Sequence, residues 1–489
     1  LRIRQKTKTI TLLLLLTVGA ILVQGYHPGL EDDSYYLAAI KHDLNPALFP
    51  RDAAFFQVLF QATVFDKMVA ASLRLTRLPI GWGIFLWQFA ATFLILWGCW
   101  RIARLCFERE YEQWAAVTMV AALLTLPVSG SGLLLTDQHL QPRSLATALI
   151  LAAIVAVLEG RRLLAAILLV AAFPLHLNMA PFGVSYCVFL AWSPQRKTQP
   201  RYATVAAALA FPLQWIVEPA NDTWRQAEAT RDFYFLLRWH WYEWLGVFGP
   251  LIIVWWFRRL ALSRGSGVLA KVAERLVYFG VFQFAVALVL MLPPQFERLR
   301  SFEPMRFLHL VYLLFVLLSG GLLARYFLRR SVLRWLLLFV PLSAGMFYAQ
   351  RQLYPATAHL ELPGVPSHNA WVEAFRWISH NTPVDSYFAL DPHYMEMPGE
   401  DAHGFRALAE RSVLADAIKD PCIVVRVPSL GPRWLREMDA QNGWRNFQKP
   451  DFLRLKKQFG VDWVLVSAPG VEGMTCPYNN GSLAVCRVD

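Results

Sequence analysis

The sequence predicts a polytopic α-helical membrane protein of about 11 transmembrane helices, carrying a C-terminal extracytoplasmic α/β domain. Three observations predict it. Of 489 residues, 56% are hydrophobic, with 33 Phe and 19 Trp. Apolar runs recur at lengths near the about 17–25 residues that cross a bilayer. From about Tyr354 onward Pro, His and acidic residues rise, and the hydrophobic patterns become those of a soluble α/β module. The chain therefore divides into a membrane domain over 1–350, with a long first loop at 25–78, and a C-terminal domain over 351–489.

The spans read as 10–24, 79–100, 114–128, 144–158, 163–177, 178–192, 202–217, 239–257, 276–292, 307–324 and 335–350. The N-terminal LRIRQKTK before an apolar run fits a retained first helix, because no small-residue cleavage site follows it. Pro174 and Pro181 break the pair at 163–192, which reads as a short hairpin or a partly re-entrant element. The formal net charge is +12, and in a many-span protein this reports loop sidedness rather than nucleic-acid binding. Loops 1–9, 101–113, 159–162, 193–201, 258–275 and 325–334 hold 21 Lys and Arg in 63 residues. The opposite loops 25–78, 129–143, 174–181, 218–244 and 293–306 hold 12 in 118. The positive-inside rule then places the N-terminus in the cytoplasm and the C-terminal domain outside.

In the C-terminal domain, Asn369 to Ile378 reads as a helix, Ser386 to Leu390 as a strand and Gly404 to Ala417 as a helix. Cys422 to Val427 follows as a strand, Lys449 to Phe459 as a helix, and Val461 to Ser467 and Leu483 to Val488 as strands. Cys476 and Cys486 flank Asn480-Gly481, a tight-turn signal. In an oxidising compartment these two are expected to pair across the hairpin, with Cys422 left free.

The chain's chemistry centres on Glu31, Asp32 and Asp33, which follow the His27-Pro28-Gly29 turn where the first helix returns to water. They fit two roles. One is an N-cap with acids in the first helical turn, which stabilises a helix start. The other is a general base or metal ligand at the membrane surface. A second loop carries Asp137, Gln138, His139 and Arg143, which also fit a polar cluster capping the helix near Ser144. His176 lies on a turn of the same side. A third loop carries Arg298, Arg300 and Arg306, whose forked guanidinium groups suit phosphate oxygens. They equally fit lipid-headgroup contact or pairing with Glu297 and Glu303. Trp224, Trp239, Trp241 and Trp244 read as an interface belt. No P-loop, dinucleotide fingerprint, zinc pattern or serine elbow occurs.

A first span, acids at the start of a long loop, many further spans and a C-terminal extracytoplasmic domain together resemble the GT-C superfamily of membrane glycosyltransferases. The stretches TDQHLQPRSLATAL and RSFEPMRF look like uncharacterised bacterial members. The resemblance covers about the first 350 residues, and its motif is only two or three acids. It implies a sugar donor linked to polyprenyl phosphate and an acceptor hydroxyl on a glycan, lipid or protein. It implies Asp32 or Asp33 as the catalytic carboxylate. Glu31, His139, Arg143, Arg298, Arg300 and Arg306 would bind substrate. Arg306, in MRF at the mouth of a span, is similar to an Arg-aromatic position of related transferases. Some members hold a divalent metal on a D-x-E-type pair in an equivalent second loop. Here Asp137-x-His139 departs from that pattern, since hard cations take oxygen ligands. Asp137 is left as the candidate metal ligand, and a divalent ion as the one cofactor in question. Two other functions fit the chain: a non-catalytic scaffold of envelope polysaccharide assembly, and a transporter. Transporters carry ionisable or unwound elements near the bilayer midplane. Here only amides such as Gln88 and Gln283 lie inside spans.

Overall fold

The computed structural model describes residues 2–61, 63–192 and 220–489. The span expected over 202–217, and the basic residues Arg196, Lys197 and Arg201, lie outside them. Among the described residues, six helices are long and apolar enough to cross a membrane: Lys6–Gln24, Ile80–Cys106, Trp241–Leu262, Gly267–Met291, Pro304–Leu328 and Val332–Leu353. Pro142–Leu158, Arg162–Ala172 and Ala180–Ala191 are apolar but shorter. The chain is thus a helical membrane protein, while eleven crossings are not established. The span expected over 114–128 is a helix only over Glu110–Ala122. Beyond it the chain turns into a two-stranded hairpin, β1 (Pro127–Val128) with β2 (Leu133–Leu134). Pro127 lacks the N–H a helix needs, and Gly130 and Gly132 take positive φ in the turn.

Burial ranks the spans. Pro304–Leu328 is 83% buried and forms the centre of the bundle, whereas Val332–Leu353 is 6% buried and lies at its edge. The central helix approaches Glu110–Ala122 closely because Gly320 and Gly321 carry no side chain. A Cβ on Gly320 would lie 2.6 Å from the Ala115 carbonyl oxygen, and one on Gly321 2.2 Å from the Phe107 ring. Small residues at such crossings let helices pack tightly in lipid. The intramembrane amides are structural: Gln88 donates to the Asp137 carbonyl at 2.8 Å, and Gln283 to Ser185 Oγ at 2.9 Å.

The loops sort by end. Lys8 pairs with Glu110, Arg101 with Glu159, and Arg325 with Glu112, so the described Lys/Arg-rich loops that hold these residues meet at one end of the bundle. The other loops gather at the opposite end with the C-terminal domain. The first loop and that domain therefore lie together at one end of the bundle.

Five strands form the sheet of the C-terminal domain: β3 (Tyr387–Leu390), β4 (Ser412–Val413), β5 (Trp463–Ser467), β6 (Thr475–Asn479) and β7 (Leu483–Arg487). Their order is β4-β3-β5-β7-β6. β3 runs parallel to β4 and β5, and β7 is antiparallel to β5 and β6. Asn369 caps Ala370–Asn381 by accepting from the Trp371 and Val372 N–H groups, and Lys449–Phe459 is helical as expected. Cys476 and Cys486 form a disulfide between β6 and β7, and Cys422 is free.

Two expectations are corrected. The helix expected over 404–417 stops at Ala409, where Glu410 takes φ +56°, and β4 follows. The strand expected over 422–427 is a helix, Asp420–Arg426. Its Ile-Val-Val run has strand propensity, but Asp420 and Pro421 at the start are helix-initiating residues that outweigh it.

The domain does not hang on a linker. Tyr26 N–H donates to the His359 carbonyl at 3.0 Å, and Glu31 N–H to the Ala402 carbonyl at 2.9 Å. His27 Nδ1 lies 2.9 Å and His403 Nε2 3.2 Å from the same Glu361 oxygen. Phe55 of the first loop, Trp224 and Tyr234 of the 218–244 loop, and Val424 and Trp434 of the domain share one apolar core. Trp224 thus belongs to a protein core rather than a membrane belt.

Candidate active site

The loops that gather at the domain's end enclose a cavity of ≈ 990 Å³. That is the upper end of the usual size for small-molecule sites. Its wall takes Glu31 and Asp32 from the first loop, Asp137 and His139 from the second, and His176 and Asn178 from the turn after the helix Arg162–Ala172. Glu303 and Arg306 come from the loop before the central span, and Lys419, Cys422 and Arg426 from the C-terminal domain.

The adjacent acids of the first loop part company. Asp32 occupies the position preceding the helix Asp33–Leu44, yet its side chain makes no cap hydrogen bond. It turns to Lys419, whose Nζ lies 3.2 Å from Asp32 Oδ1 and also engages Glu31 Oε2. The Asp32 side chain is 46% exposed because it faces the cavity. Asp33 is 1% exposed and accepts from the Gly29 N–H at 2.6 Å, so it closes the turn that enters the helix. Asp33 is thus the acid of the first helical turn, and its bond braces the turn that leads into the helix.

Burial alone would raise the Asp32 pKa. Lys419, then Arg306 and His139, outweigh it and hold this carboxyl well below the usual carboxylate range. Burial pushes the Asp33 carboxyl up, and Asp32 beside it adds to that. Glu31 takes φ +53°, a left-handed conformation uncommon for a residue with a side chain.

On the facing wall, Arg306 and Arg426 share Glu303: Arg306 Nη2 donates to Oε1 at 2.8 Å and Arg426 Nη2 to Oε2 at 3.0 Å. Glu303, at φ +54°, separates the 3₁₀ turns Pro294–Phe302 and Pro304–Phe307 and so points its carboxylate between the two guanidinium groups. Burial, followed by the charges of Arg306, Arg143 and Arg426, holds His176 well below its ordinary pKa, as a neutral imidazole.

Of the arginines expected beside Arg306, neither Arg298 nor Arg300 lines the cavity. Arg300 donates to the Met291 carbonyl at 2.9 Å and pairs with buried Glu228, because the 3₁₀ turn points it away. Arg143 is also off the wall, paired with the Asp137 carboxylate. That pairing decides the metal question: a guanidinium stands where a cation would bind. Among the described residues no group of three or more His, Cys, Asp or Glu could hold a metal ion. The residues present do not fit one. His139 does line the cavity; its Nε2 lies 3.0 Å from Gln141 Nε2, and its Nδ1 has no hydrogen-bond partner among the described residues.

Lys419, Arg426 and Arg231 are cavity residues that sequence reasoning missed. Lys419, Cys422 and Arg426 recur at spacings of three and four, which puts them on one helical face. Only the misread strand hid that signal. Arg231 donates to the Ile418 carbonyl, and its Nε lies 3.3 Å from Cys422 Sγ. No protein-family model matches the chain, and no curated protein matches it.

Proposed function

We propose that this protein is a membrane glycosyltransferase of the GT-C type, moving a sugar from a polyprenyl-phosphate donor to an acceptor hydroxyl on a glycan, lipid or protein. One observation carries the reading: a cavity-facing carboxylate, Asp32, and a pair of arginines, Arg306 and Arg426, stand on the wall of one cavity at one end of the bundle. In the reaction the acceptor oxygen bonds to the anomeric carbon and the carbon–oxygen bond to phosphate breaks. The bonding pair leaves on the phosphate oxygen, and the acceptor's proton passes to Asp32. The phosphate leaves as a stable anion, so this centre needs a base and cations rather than a strong acid.

A specific observation favours a second reading, a scaffold of envelope assembly without catalysis. Lys419, Glu303 and Arg143 already neutralise the cavity's carboxylates and guanidinium groups from within. A transfer assay in nanodiscs with a panel of polyprenyl-phosphate sugars separates the two. Arg306→Met is expected to lower kcat/KM for the donor by about 10–150-fold, the loss of one charged hydrogen bond of about 1.5–3 kcal/mol. If the wild-type protein releases no polyprenyl phosphate from any donor, the scaffold reading stands instead.

The site faces the outside of a bacterial inner membrane in this reading. The scarcity of Lys and Arg in its loops supports that side, and so does the Cys476–Cys486 disulfide. A phosphatase fused after Val488 is expected to be active. Fluorescence from a reporter that folds only in the cytoplasm, fused at the same point, would reverse the orientation.

A further inference from the structure

We infer that Lys419, carried by the C-terminal domain, is a positioning residue of the carboxylate centre, holding Glu31 and Asp32 side by side at the cavity wall. The inference rests on the transferase reading for its catalytic meaning, and on geometry for its substance.

Lys419 is 7% exposed, while Glu31 and Asp32 are 45% and 46% exposed to the cavity. The ammonium thus comes from behind, and the carboxylates front the open space. Its position is secured from beneath. Asp416 Oδ1 accepts the N–H groups of Lys419 and Asp420, at 2.5 and 3.2 Å. Asp420 in turn is gripped by Arg406 through both oxygens, at 2.8 and 3.0 Å. Glu31, held at positive φ by its N–H bond to Ala402, swings its carboxylate to the same ammonium. Neither acid is engaged in this way as a helix cap, since Asp32 makes no cap hydrogen bond.

The groups facing Asp32 divide by sign. Lys419, Arg306 and His139 favour its ionised form against the cost of burial. Glu31 shares the ammonium with it, and Asp33 follows it in the chain. Tyr35, Tyr36 and Arg231 lie on the same wall. With Lys419 present, Asp32 stays ionised at working pH. Without it, two neighbouring carboxylates lose their shared counterion, and Asp32 takes up a proton more readily. The pH at which Asp32 is protonated rises with that loss, so the acid limb of the rate profile moves to higher pH.

The test uses the full chain in nanodiscs, as wild type, Lys419→Met, Lys419→Arg and the Lys419→Met/Asp32→Asn double variant. Infrared difference titration reads carboxyl protonation directly, whether or not transfer occurs. Lys419→Met is expected to show a carboxyl titrating about one to three pH units above wild type. The band should vanish in the double variant and return to the wild-type position in Lys419→Arg. Superimposable wild-type and Lys419→Met titrations, or a band that survives in the double variant, would overturn the assignment. Should Lys419→Met not fold by thermal unfolding, Lys419→Gln keeps a donor without the charge and takes its place. The pH profile of transfer reads the same shift in the rate. A wild-type protein without transfer but with the infrared shift rejects the transferase while upholding Lys419.

Discussion

Asp32→Asn is expected to give a folded, membrane-inserted protein whose transfer rate is lower by about 10²–10⁴, the usual contribution of a general base. The substitution preserves shape and removes the proton acceptor. Its structural cost is small for two reasons: Asp32 makes no cap hydrogen bond, and Lys419 keeps Glu31 as a partner. Asp33→Asn is the matched control. An amide oxygen can still accept from the Gly29 N–H, so transfer should stay near wild type. The measurements are transfer rates and thermal unfolding on the same purified samples. Full transfer by Asp32→Asn would remove this carboxylate from the mechanism. Loss of transfer in Asp33→Asn alone would exchange the two roles.

The largest stability effect should come from Arg406→Met. Arg406 is buried between the first loop and the C-terminal domain, with Nε 2.6 Å from Asp52 Oδ2 and its two terminal nitrogens on Asp420. Burial opposes its charge; Asp420 and Asp52 overcome that and hold the guanidinium firmly protonated. Asp52 and Asp420 are both fully buried. Removing the arginine strands two carboxylates without a counterion, and breaking such a pair commonly costs about 3–5 kcal/mol. Arg406→Lys should also destabilise, because an ammonium cannot reproduce the forked contact. Unfolding in detergent, monitored by tryptophan fluorescence, checks this. A wild-type midpoint for Arg406→Met would mean that the first loop and the domain are not one cooperative unit. The same variant is expected to loosen Lys419, since Asp420 anchors its chain segment.

Much of the architecture was legible because it follows from local pattern. Ile80–Cys106 and Gly267–Met291 are apolar over their length, and hydrocarbon demands that of any segment crossing it. Asn369 before an amphipathic run marked a helix start. Asn480-Gly481 between two cysteines marked the hairpin that β6 and β7 form. The charge bias of the loops sorted them into two groups, and the structure gathers the described loops of each group at its own end. Short elements were less legible: in the segment 420–427, a β-branched run competed with an Asp-Pro start, and seven residues are too few for periodicity to decide.

The first loop was legible from sequence as an acidic loop at a span's end, whose three acids fitted both a helix start and a chemical role. Which acid faces the cavity was a tertiary decision. Neighbouring residues on a helix point roughly 100° apart, so one of Asp32 and Asp33 must turn inward. Lys419, 387 residues further along the chain, selects Asp32 by pairing with it. The same holds for the cations, where Arg300 turns to Glu228 and Arg426 takes a place beside Arg306. Sequence determined which residue types were available at each end of the membrane, because solvation acts on each segment by itself. The site was decided by ion pairs between segments far apart in the chain, and those form only once the spans and the C-terminal domain have packed.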